Sequence, residues 1–410
     1  MKTRTKRVVK TNDRSVIRSL ILPIYLPMVL MSVGMGMIML VIPLLSAELA
    51  GSYGRASLVF AMVGVGTFAA DIPSGLLISR IGVKPAMLLG IFTVSISSMV
   101  AAFVSSAFFL GIIGFCLGAG RSTVMLSRMT YIAESTTRET GRAMATAGGM
   151  MRIGMLFGPI IGGYSAKLLG FDYTLVIAGL IIGFASVFTV FLNPENGRAS
   201  AGPNTSHLLI IRNILVDYKA VFLTTGTAAT GLQLLRAARV VIVPFWGSSI
   251  GLDAAEIGLV TGISMGLELS MFYPVGMIMD RFGRKWTAVP CIAILGSSFA
   301  LIPLSHDFIS FLLVVLVAGV GNGLGSGIFL TLGADFSPAQ RRSDFLGVWR
   351  LIGDIGHTSG PFLVGLLTST FSLVAASFVT ASIGLCSAAI MFLFVKDSRD
   401  VSRGPECSSD

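Results

Sequence analysis

Hydrophobic residues are gathered in twelve long runs that short polar segments separate. The runs are about 19 to 27 residues long, and about 20 apolar residues in a helix span the hydrocarbon core of a bilayer. They lie at 21–45, 56–79, 86–105, 107–133, 143–169, 173–193, 220–246, 254–279, 286–304, 308–333, 344–370 and 372–395. This pattern predicts an all-α integral membrane protein with twelve transmembrane helices. The first run is too long for the apolar region of a cleaved signal peptide, so we predict that it is retained.

A polar segment divides the twelve runs into two groups of six. Residues 193–207, NPENGRASAGPNTSH, have the Pro, Gly, Asn and Ser content of a flexible linker. We therefore predict five parts, which are a basic N-terminal tail (1–20), a first six-helix bundle (21–193), a cytoplasmic linker (194–219), a second six-helix bundle (220–395) and a C-terminal tail (396–410).

Positive charge is concentrated on one side of the predicted membrane protein. With a cytoplasmic N-terminus, the cytoplasmic segments hold 22 of the 30 Lys and Arg residues, and the outer loops hold only Arg55 and Lys167. Cytoplasmic loops are enriched in Lys and Arg, so both termini are predicted to be cytoplasmic. The short loops favour a bacterial inner membrane. The net charge of +10 is then a signal of topology rather than of nucleic-acid binding.

The composition agrees with a lipid environment. Charged residues make up 12 % of the chain, against roughly 25 % in soluble domains, and the mean hydropathy is +0.85. The 48 glycines suit membrane helices, which pack through small residues. We expect a protein surrounded by the bilayer, and a monomer.

Cysteine and histidine positions give no sign of a metal site. The four cysteines have no C-x-x-C spacing and the three histidines are scattered. No nucleophile–base pair or paired catalytic carboxylates stand out either. We therefore predict no enzyme activity and no cofactor.

The two halves of the chain repeat each other. The segment GLLISRIGVKP (75–85) aligns with GMIMDRFGRKW (276–286) at an offset of 201 residues, and RIGMLFGP (152–159) aligns with DIGHTSGP (354–361) at an offset of 202. Parallel internal repeats of this kind are typical of transporters whose halves rock against each other.

The segment after the second run resembles the signature G-x-L-x-D-R-x-G-R-K of the major facilitator superfamily. Ser79 replaces its acid and Val83 one of its basic residues, whereas the second copy is nearly complete. The resemblance covers essentially the whole chain and is strongest to the twelve-helix drug:proton antiporter-type members. It implies the major facilitator fold, two pseudo-symmetric six-helix bundles around a central cavity.

In that family the signature forms a cytoplasmic gate between the halves. Its glycines allow tight turns and its charges form pairs. By resemblance we expect Asp280 to lie near Asp335, Arg284 and Arg142. The full set of expected gate residues is Gly75, Arg80, Gly82, Lys84, Glu134, Arg142, Gly276, Asp280, Arg281, Gly283, Arg284 and Asp335.

The fifth run contains GMLFGPIIGG, which matches the motif G-x-x-x-G-P-x-x-G-G. Within the family this motif is associated with antiporters more than with symporters. The residues are Gly154, Gly158, Pro159, Gly162 and Gly163. Small residues at this spacing also serve general close packing of helices, which is the alternative interpretation.

Charges inside a membrane are costly, so each one is a candidate functional residue. We predict that Glu268 and Asp71 carry coupling protons, with Glu268 the better candidate. The other interior residues predicted to line the cavity are Arg121, Arg152, Gln233, Arg236, Arg239, Arg350 and Asp354. Arg121 lies seven residues from the position at which the family's fourth helix usually has its arginine.

Depth along the helices predicts two ion pairs across the halves, Arg152–Glu268 and Asp71–Arg350. Two local alternatives remain open. Arg350 could pair with Asp354 one turn along its own helix, and Asp71 could make a structural hydrogen bond beside Pro73.

The sequence favours a secondary transporter that exports small amphipathic organic molecules in exchange for protons. The small-molecule substrate and protons are the expected partners, with no nucleic acid. The arginine excess of the interior keeps a carrier of organic anions or siderophore-like metabolites as an alternative. A proton-coupled uptake symporter fits the same fold, and a non-transporting membrane sensor is a remote alternative.

Overall fold

The regular secondary structure of the computed structural model is all helical over the residues it describes, which are 20–135, 140–189, 191, 207–338 and 341–395. The predicted tails, apart from residue 20, and linker residues 194–206 lie outside these ranges. The twelve long helices are α1 (Ile21–Ala50), α2 (Tyr53–Ile81), α3 (Val83–Ala101), α4 (Ala107–Ser135), α5 (Thr140–Leu169), α6 (Phe171–Thr189), α7 (Lys219–Ser249), α8 (Ala254–Phe282), α9 (Lys285–Leu301), α10 (Phe308–Asp335), α11 (Arg342–Thr370) and α12 (Leu373–Phe394).

Eleven of these helices are long and apolar enough to cross a membrane by length and composition, within the described part of the chain. The remaining helix, α11, has 29 residues but a more polar sequence, including Arg350, Asp354 and His357. It packs between α2 and α7, so its polar residues are placed inside the molecule rather than against lipid.

Each half is built in the same way. In the first half α1 packs against α5 and α6, α2 against α4, and α3 between α4 and α6. In the second half α7 packs against α11 and α12, α8 against α10, and α9 between α10 and α12. The helices of the two halves thus pack in the same order, as the sequence repeat at an offset of about 201 residues predicts.

Glycines end α2 and α8 where the sequence repeat predicts tight turns. Gly82 has a φ of 90° and Gly283 a φ of 102°, conformations that residues with a Cβ rarely adopt. The next helix begins directly after Gly82 and one residue after Gly283, so these turns join α2 to α3 and α8 to α9 with almost no loop.

Two elements differ from the predicted pattern. Residues His207–Asp217, part of the predicted linker, form a short helix that contacts α11. The tenth run is not one continuous helix, because α10 is interrupted at Gly325–Gly327 between Phe308–Leu324 and Ile328–Asp335. The run contains the glycine-rich sequence GVGNGLGSG (319–327), and glycine in a membrane helix is expected mainly to allow close packing.

The halves meet through α5 with α8 and through α2 with α11, with a smaller contact between α1 and α7. We call the end of the molecule where α1 and α7 begin the linker side, and the end where they stop the far side. On the far side the helices touch closely. A Cβ on Gly163 would lie 2.3 Å from the carbonyl oxygen of Ala254, and one on Gly54 would lie 2.7 Å from the nitrogen of Ser369.

Polar contacts reinforce this far-side seam. Ser57 donates a hydrogen bond to the carbonyl oxygen of Pro361 (2.6 Å), and Lys167 forms an ion pair with Asp253 (2.7 Å). On the linker side the same helices are apart. A Cβ on Gly148 or Gly149 of α5, Gly276 of α8 or Gly347 of α11 would meet no described atom within 4 Å. The molecule is therefore closed on the far side and open on the linker side.

Candidate functional site

Two polar clusters lie inside the bundle between the sealed far side and the open linker side. We name them by their acids, the Asp71 cluster and the Glu268 cluster. Among the described residues, no group of three or more His, Cys, Asp or Glu side chains could hold a metal ion. The clusters are therefore networks of arginines, carboxylates and neutral polar groups.

The Asp71 cluster joins the two halves. Arg350 of α11 donates a hydrogen bond to Asp71 of α2 over 3.0 Å, which is the predicted ion pair. Arg350 also lies 3.6 Å from Asp354, one turn along α11, so the local alternative forms at the same time. Ser122 of α4 donates a hydrogen bond to the same oxygen of Asp71. One guanidinium thus contacts two carboxylates from different halves.

Local packing fixes Asp71 in this position. Three residues along α2, Ser74 is hydrogen-bonded to Thr123 of α4 over 2.8 Å, next to Ser122. Asp71 therefore also makes a structural hydrogen bond, the alternative to the ion pair, and its donor is Ser122. Oδ2 of Asp354, the oxygen that lies 3.6 Å from Arg350, is buried and has no hydrogen-bond partner among the described residues. With both acids ionised, this cluster carries one more negative than positive charge.

The Glu268 cluster lies in the second half. Glu268 of α8 forms an ion pair with Arg239 of α7, and both side chains are almost fully buried. The amide of Asn322 in α10 donates to the other carboxylate oxygen over 2.6 Å. Arg236 in turn donates to the Asn322 oxygen over 2.8 Å. The predicted Arg152–Glu268 ion pair is not formed in this conformation, in which Arg239 is the partner of Glu268.

The break in α10 receives the other side chains of this cluster. Interrupting a helix frees backbone carbonyl groups that need donors. Arg236 donates to the carbonyl oxygen of Gly325 over 2.8 Å, and Arg152 of α5 donates to Ser326 over 2.9 Å. Gly327, with a φ of 81°, starts the second segment. Asn322 and Ser326 were not among the predicted site residues.

Arg152 thus reaches across from the first half to the second. Its guanidinium also lies 4.8 Å from the centre of the Phe272 ring of α8, a cation–π distance. Gln233 accepts a hydrogen bond from Arg236 over 3.1 Å, so this predicted residue belongs to the same cluster.

Two further arginines lie on α4. Arg121 is partly accessible and is within electrostatic range of Asp354 and Asp71, so it lies beside the Asp71 cluster. Arg128, two turns on, is buried and donates to the sulfur of Met31 over 3.1 Å. Its Nε has no hydrogen-bond partner among the described residues.

The predicted gate residues lie on the open linker side. Arg284 forms an ion pair with Asp335 over 3.2 Å and donates to the carbonyl oxygen of Met279, all within the second half. Arg80 and Arg281 are exposed at the ends of α2 and α8. Lys84, Gly75 and Gly276 lie on the same side. The side chains of Glu134, Arg142 and Asp280 lie outside the described residues.

The glycine motif of α5 has two sets of contacts. Gly154, Gly158 and Gly162 pack against α1 in the same half, and a Cβ on Gly158 would lie 2.7 Å from the Cα of Gly36. Gly163 and the carbonyl of Pro159 face α8 instead, where a Cβ on Gly258 would lie 2.3 Å from that carbonyl oxygen. The motif therefore contributes both to the packing of the first half and to the far-side seam.

The sequence profile described as Major Facilitator Superfamily matches residues 24–237 and 221–407. The chain spans less than half of two curated relatives, 45 % of an uncharacterised transporter from Methanocaldococcus jannaschii (22 % identical) and 38 % of the hexuronate transporter of Bacillus subtilis (27 % identical). These matches cover 43 % and 40 % of this chain.

Longer matches are found at similar identity. A multidrug resistance protein from Sodalis glossinidius is 24 % identical over 79 % of this chain and 81 % of its own length. Among solved structures, a POT family transporter in complex with a thioalcohol-conjugated peptide superposes with a TM-score of 0.76 at 13 % identity, over 92 % of this chain and 96 % of that one. The structural match concerns the fold alone.

Proposed function

Because the chain belongs to the major facilitator superfamily, a superfamily of transporters rather than enzymes, we propose that it is a proton-coupled exporter of small amphipathic organic molecules. Its central cavity opens alternately to the two sides of the membrane as the halves rock against each other. We also propose that the linker side is cytoplasmic, as the distribution of Lys and Arg predicts. The structure then corresponds to the state that is open to the cytoplasm.

The observation that carries this proposal is the pair of carboxylates held by Arg350 between the halves. Asp71 belongs to the first half, whereas Arg350 and Asp354 lie on the same helix of the second half, so rocking changes the distance between Asp71 and the guanidinium. Moving a carboxylate away from a positive charge within a low-dielectric interior favours its protonation. A proton taken up or released in this way couples the motion to the proton gradient.

Glu268 is the second proposed coupling group. Its partners Arg239 and Asn322 lie in the same half, so its pair can persist while the halves move. Arg152 of the first half reaches the same network through Ser326. Loss or gain of that contact changes the number of positive charges near Glu268. The protonation of Glu268 therefore also depends on the rocking motion.

Efflux of dyes tests the proposal. Bacteria that lack their own efflux pumps would express the protein and be loaded with ethidium (a cation), 1-naphthylamine (neutral) or carboxyfluorescein (an anion). Export of any of these dyes that stops on addition of a protonophore is the expected result. Glu268→Gln and Asp71→Asn should each abolish it, whereas Glu48→Gln, at an exposed position on the far side, should not.

The contrary results are equally clear. Export that persists undiminished with the protonophore contradicts proton coupling. Export that persists in both carboxylate variants contradicts the assignment of the coupling groups. Surface expression of each variant is measured in parallel, so that loss of protein is not taken for loss of transport.

A further inference from the structure

The interior of the protein contains more positive than negative side chains. All three interior acids have arginine partners, because Asp71 and Asp354 share Arg350 and Glu268 is paired with Arg239. Four more interior arginines have no acidic partner among the described residues. They are Arg121, Arg128, Arg152 and Arg236.

Accessibility separates these four arginines. Arg128 is buried against Met31. Arg121, Arg152 and Arg236 are only partly buried, so a molecule in the cavity can reach them. Arg121 lies beside the net negative Asp71 cluster. A positive side chain without an adjacent acid is costly inside a membrane protein, so Arg152 and Arg236 indicate that another negative group is bound between them.

Arg236 is oriented by neutral acceptors and keeps free N–H donors for a negatively charged ligand. Its hydrogen bonds go to three neutral acceptors, the side chains of Asn322 and Gln233 and the carbonyl oxygen of Gly325. A guanidinium has five N–H donors, so two remain for a ligand. Because the acceptors come from α7 and from the break in α10, the guanidinium is fixed in orientation while its charge stays uncompensated.

Arg152 approaches the same place from the other half. It donates to Ser326, the residue next to Gly325 in the α10 break, and lies within electrostatic range of both Glu268 and Arg236. Its ring partner Phe272 is 37 % exposed and offers an apolar face beside the charge. An anionic head with an apolar body therefore finds complementary groups here.

Arg121 completes the positive surface. It has no hydrogen-bond or ion-pair partner among the described residues, and its charge and that of Arg236 both act on His357 of α11. Arginines from α4, α5 and α7 thus contribute to one positive region inside the bundle. The set draws on both halves of the protein.

We infer that the transported molecule is an organic anion whose carboxylate or phosphate head binds between Arg152 and Arg236, with Arg121 contributing to its attraction. Arginine suits both heads because its planar fork matches their paired oxygens. An anion held between Arg152 of α5 and Arg236 of α7 bridges the two halves. This inference rests on the proposed function, since it names the substrate class of the same cavity.

Binding of matched probes tests the inference. The full-length protein in lipid nanodiscs is titrated at constant ionic strength with 2-naphthoate, 2-naphthyl phosphate, 2-naphthamide and 2-naphthylmethylammonium, which share one apolar body. The two anions should raise the melting temperature, and the amide and the ammonium compound should not. Arg236→Gln should weaken anion binding at least about tenfold, because it removes charge-assisted hydrogen bonds to the anionic head.

Further variants guard against misfolding. Arg236 also supports the α10 break, so Arg152→Gln, which removes a bond to one serine side chain, is the second test and should weaken binding similarly. Arg236→Lys should restore part of the affinity. Arg55→Gln, exposed at the start of α2, is the control and should bind as the unmodified protein does.

Three results would overturn the inference. These are equal or stronger binding of the amide or ammonium probe, no binding of either anion up to its solubility limit, and unchanged anion binding in both glutamine variants. Protonophore-sensitive export of ethidium without anion binding overturns the substrate class and leaves the proposed export intact. Anion binding without any proton-driven movement overturns the proposed export and leaves the anion site standing.

Discussion

Arg350 and Asp71 are joined by a 3.0 Å hydrogen bond between two helices that belong to different halves of the chain. The residues are 279 positions apart in the sequence, yet they occupy the same level of the bundle. Asp354 approaches the same guanidinium within 3.6 Å. The bond therefore ties the relative position of the halves to the charge on two carboxylates.

Exchanging the charges of this pair tests its role. Asp71→Arg and Arg350→Asp should each reduce transport at least about tenfold, because a single change leaves a partly buried charge without its partner, a cost of about 1–3 kcal/mol. The double exchange should recover more transport than either single change. Initial rates of dye export at equal surface expression provide the measurement. A double variant no better than the worse single one would show that the pair does not act as a unit.

The far-side seam should be sensitive to a single methyl group. Gly163→Ala places a Cβ 2.3 Å from the carbonyl oxygen of Ala254, so we expect the far side to open. Gly111→Ala is the control, since its Cβ would make an ordinary 3.6 Å contact with Met62. Spin labels at Phe103 and Phe371, both exposed on far-side loops of different halves, report the distance in a variant whose own cysteines are replaced.

We expect the distance between the labels at positions 103 and 371 to be longer in Gly163→Ala but not in Gly111→Ala. A second label pair at Ile81 and Phe282, on the linker side, should then move closer together. Far-side opening without this approach would mean that the halves do not rock as rigid bodies.

The ion pair between Lys167 and Asp253 should contribute little to the stability of the state that is closed on the far side. This contribution should not change over the physiological pH range. The hydrogen bond from Lys167 holds the pKa of the Asp253 carboxyl below its ordinary value, and the backbone N–H of Glu256 adds to this. With a lowered pKa in the closed state, the bridge stabilises closure fully above the ordinary carboxyl pKa near 4 and loses this effect as pH falls through the lowered value. Both side chains are exposed, so solvent screening leaves only a small stabilising effect.

Asp253→Asn is the matched variant, because asparagine preserves the cap that Asp253 provides for α8. The far-side spin-label distance should lengthen slightly in this variant at every pH from 5 to 8. In the unmodified protein the same distance should stay constant over that range. A closed population that falls between pH 8 and pH 6 only in the unmodified protein would contradict this account.

The break in α10 should depend on Gly327. Its φ of 81° costs an alanine about 1–2 kcal/mol, so Gly327→Ala should favour a continuous helix and withdraw Ser326 from Arg152. We expect a lower melting temperature and slower transport. Gly347→Ala, within α11 and facing no described atom, should instead leave the melting temperature unchanged or raise it. Equal effects of the two substitutions would show that the break has no particular role.

The twelve helices and the fold class could be predicted from the sequence because hydrocarbon imposes a fixed length on apolar segments. The comparison with known proteins and the helix packing confirm both. The pairing of Asp71 with Arg350 could be predicted from depth, since α2 and α11 are neighbours in this fold. That they serve coupling remains a prediction, as do the substrate and the direction of transport.

The partner of Glu268 could not be predicted in the same way. Counting residues from a helix end gives depth, but it does not give the direction in which a side chain points around the helix axis. Arg152 and Glu268 have similar depth, yet Arg239 from the neighbouring helix α7 reaches the carboxylate. The α10 break was missed for a related reason, because glycines that allow close packing and glycines that interrupt a helix look alike in a sequence.

The repeat also shows where the halves have diverged. At the offset of 201 residues Asp71 corresponds to Phe272, and at 202 residues Arg152 corresponds to Asp354. The structure places both pairs at equivalent interfaces, Asp354 near the guanidinium that binds Asp71 and Arg152 over the ring of Phe272. One interface is therefore held by groups that can bind protons, and its counterpart by a cation and an aromatic ring.

The glycine seam has a consequence for genetics. A bulkier residue at Gly163 damages one conformation of the protein and leaves each half able to fold, so the defect is an imbalance between two states. A second substitution that hinders closure on the opposite side, for example at Gly148 or Gly276, should restore the balance. Selection for regained transport in a Gly163 mutant strain should then yield suppressors that cluster at these distant glycines rather than beside the original lesion.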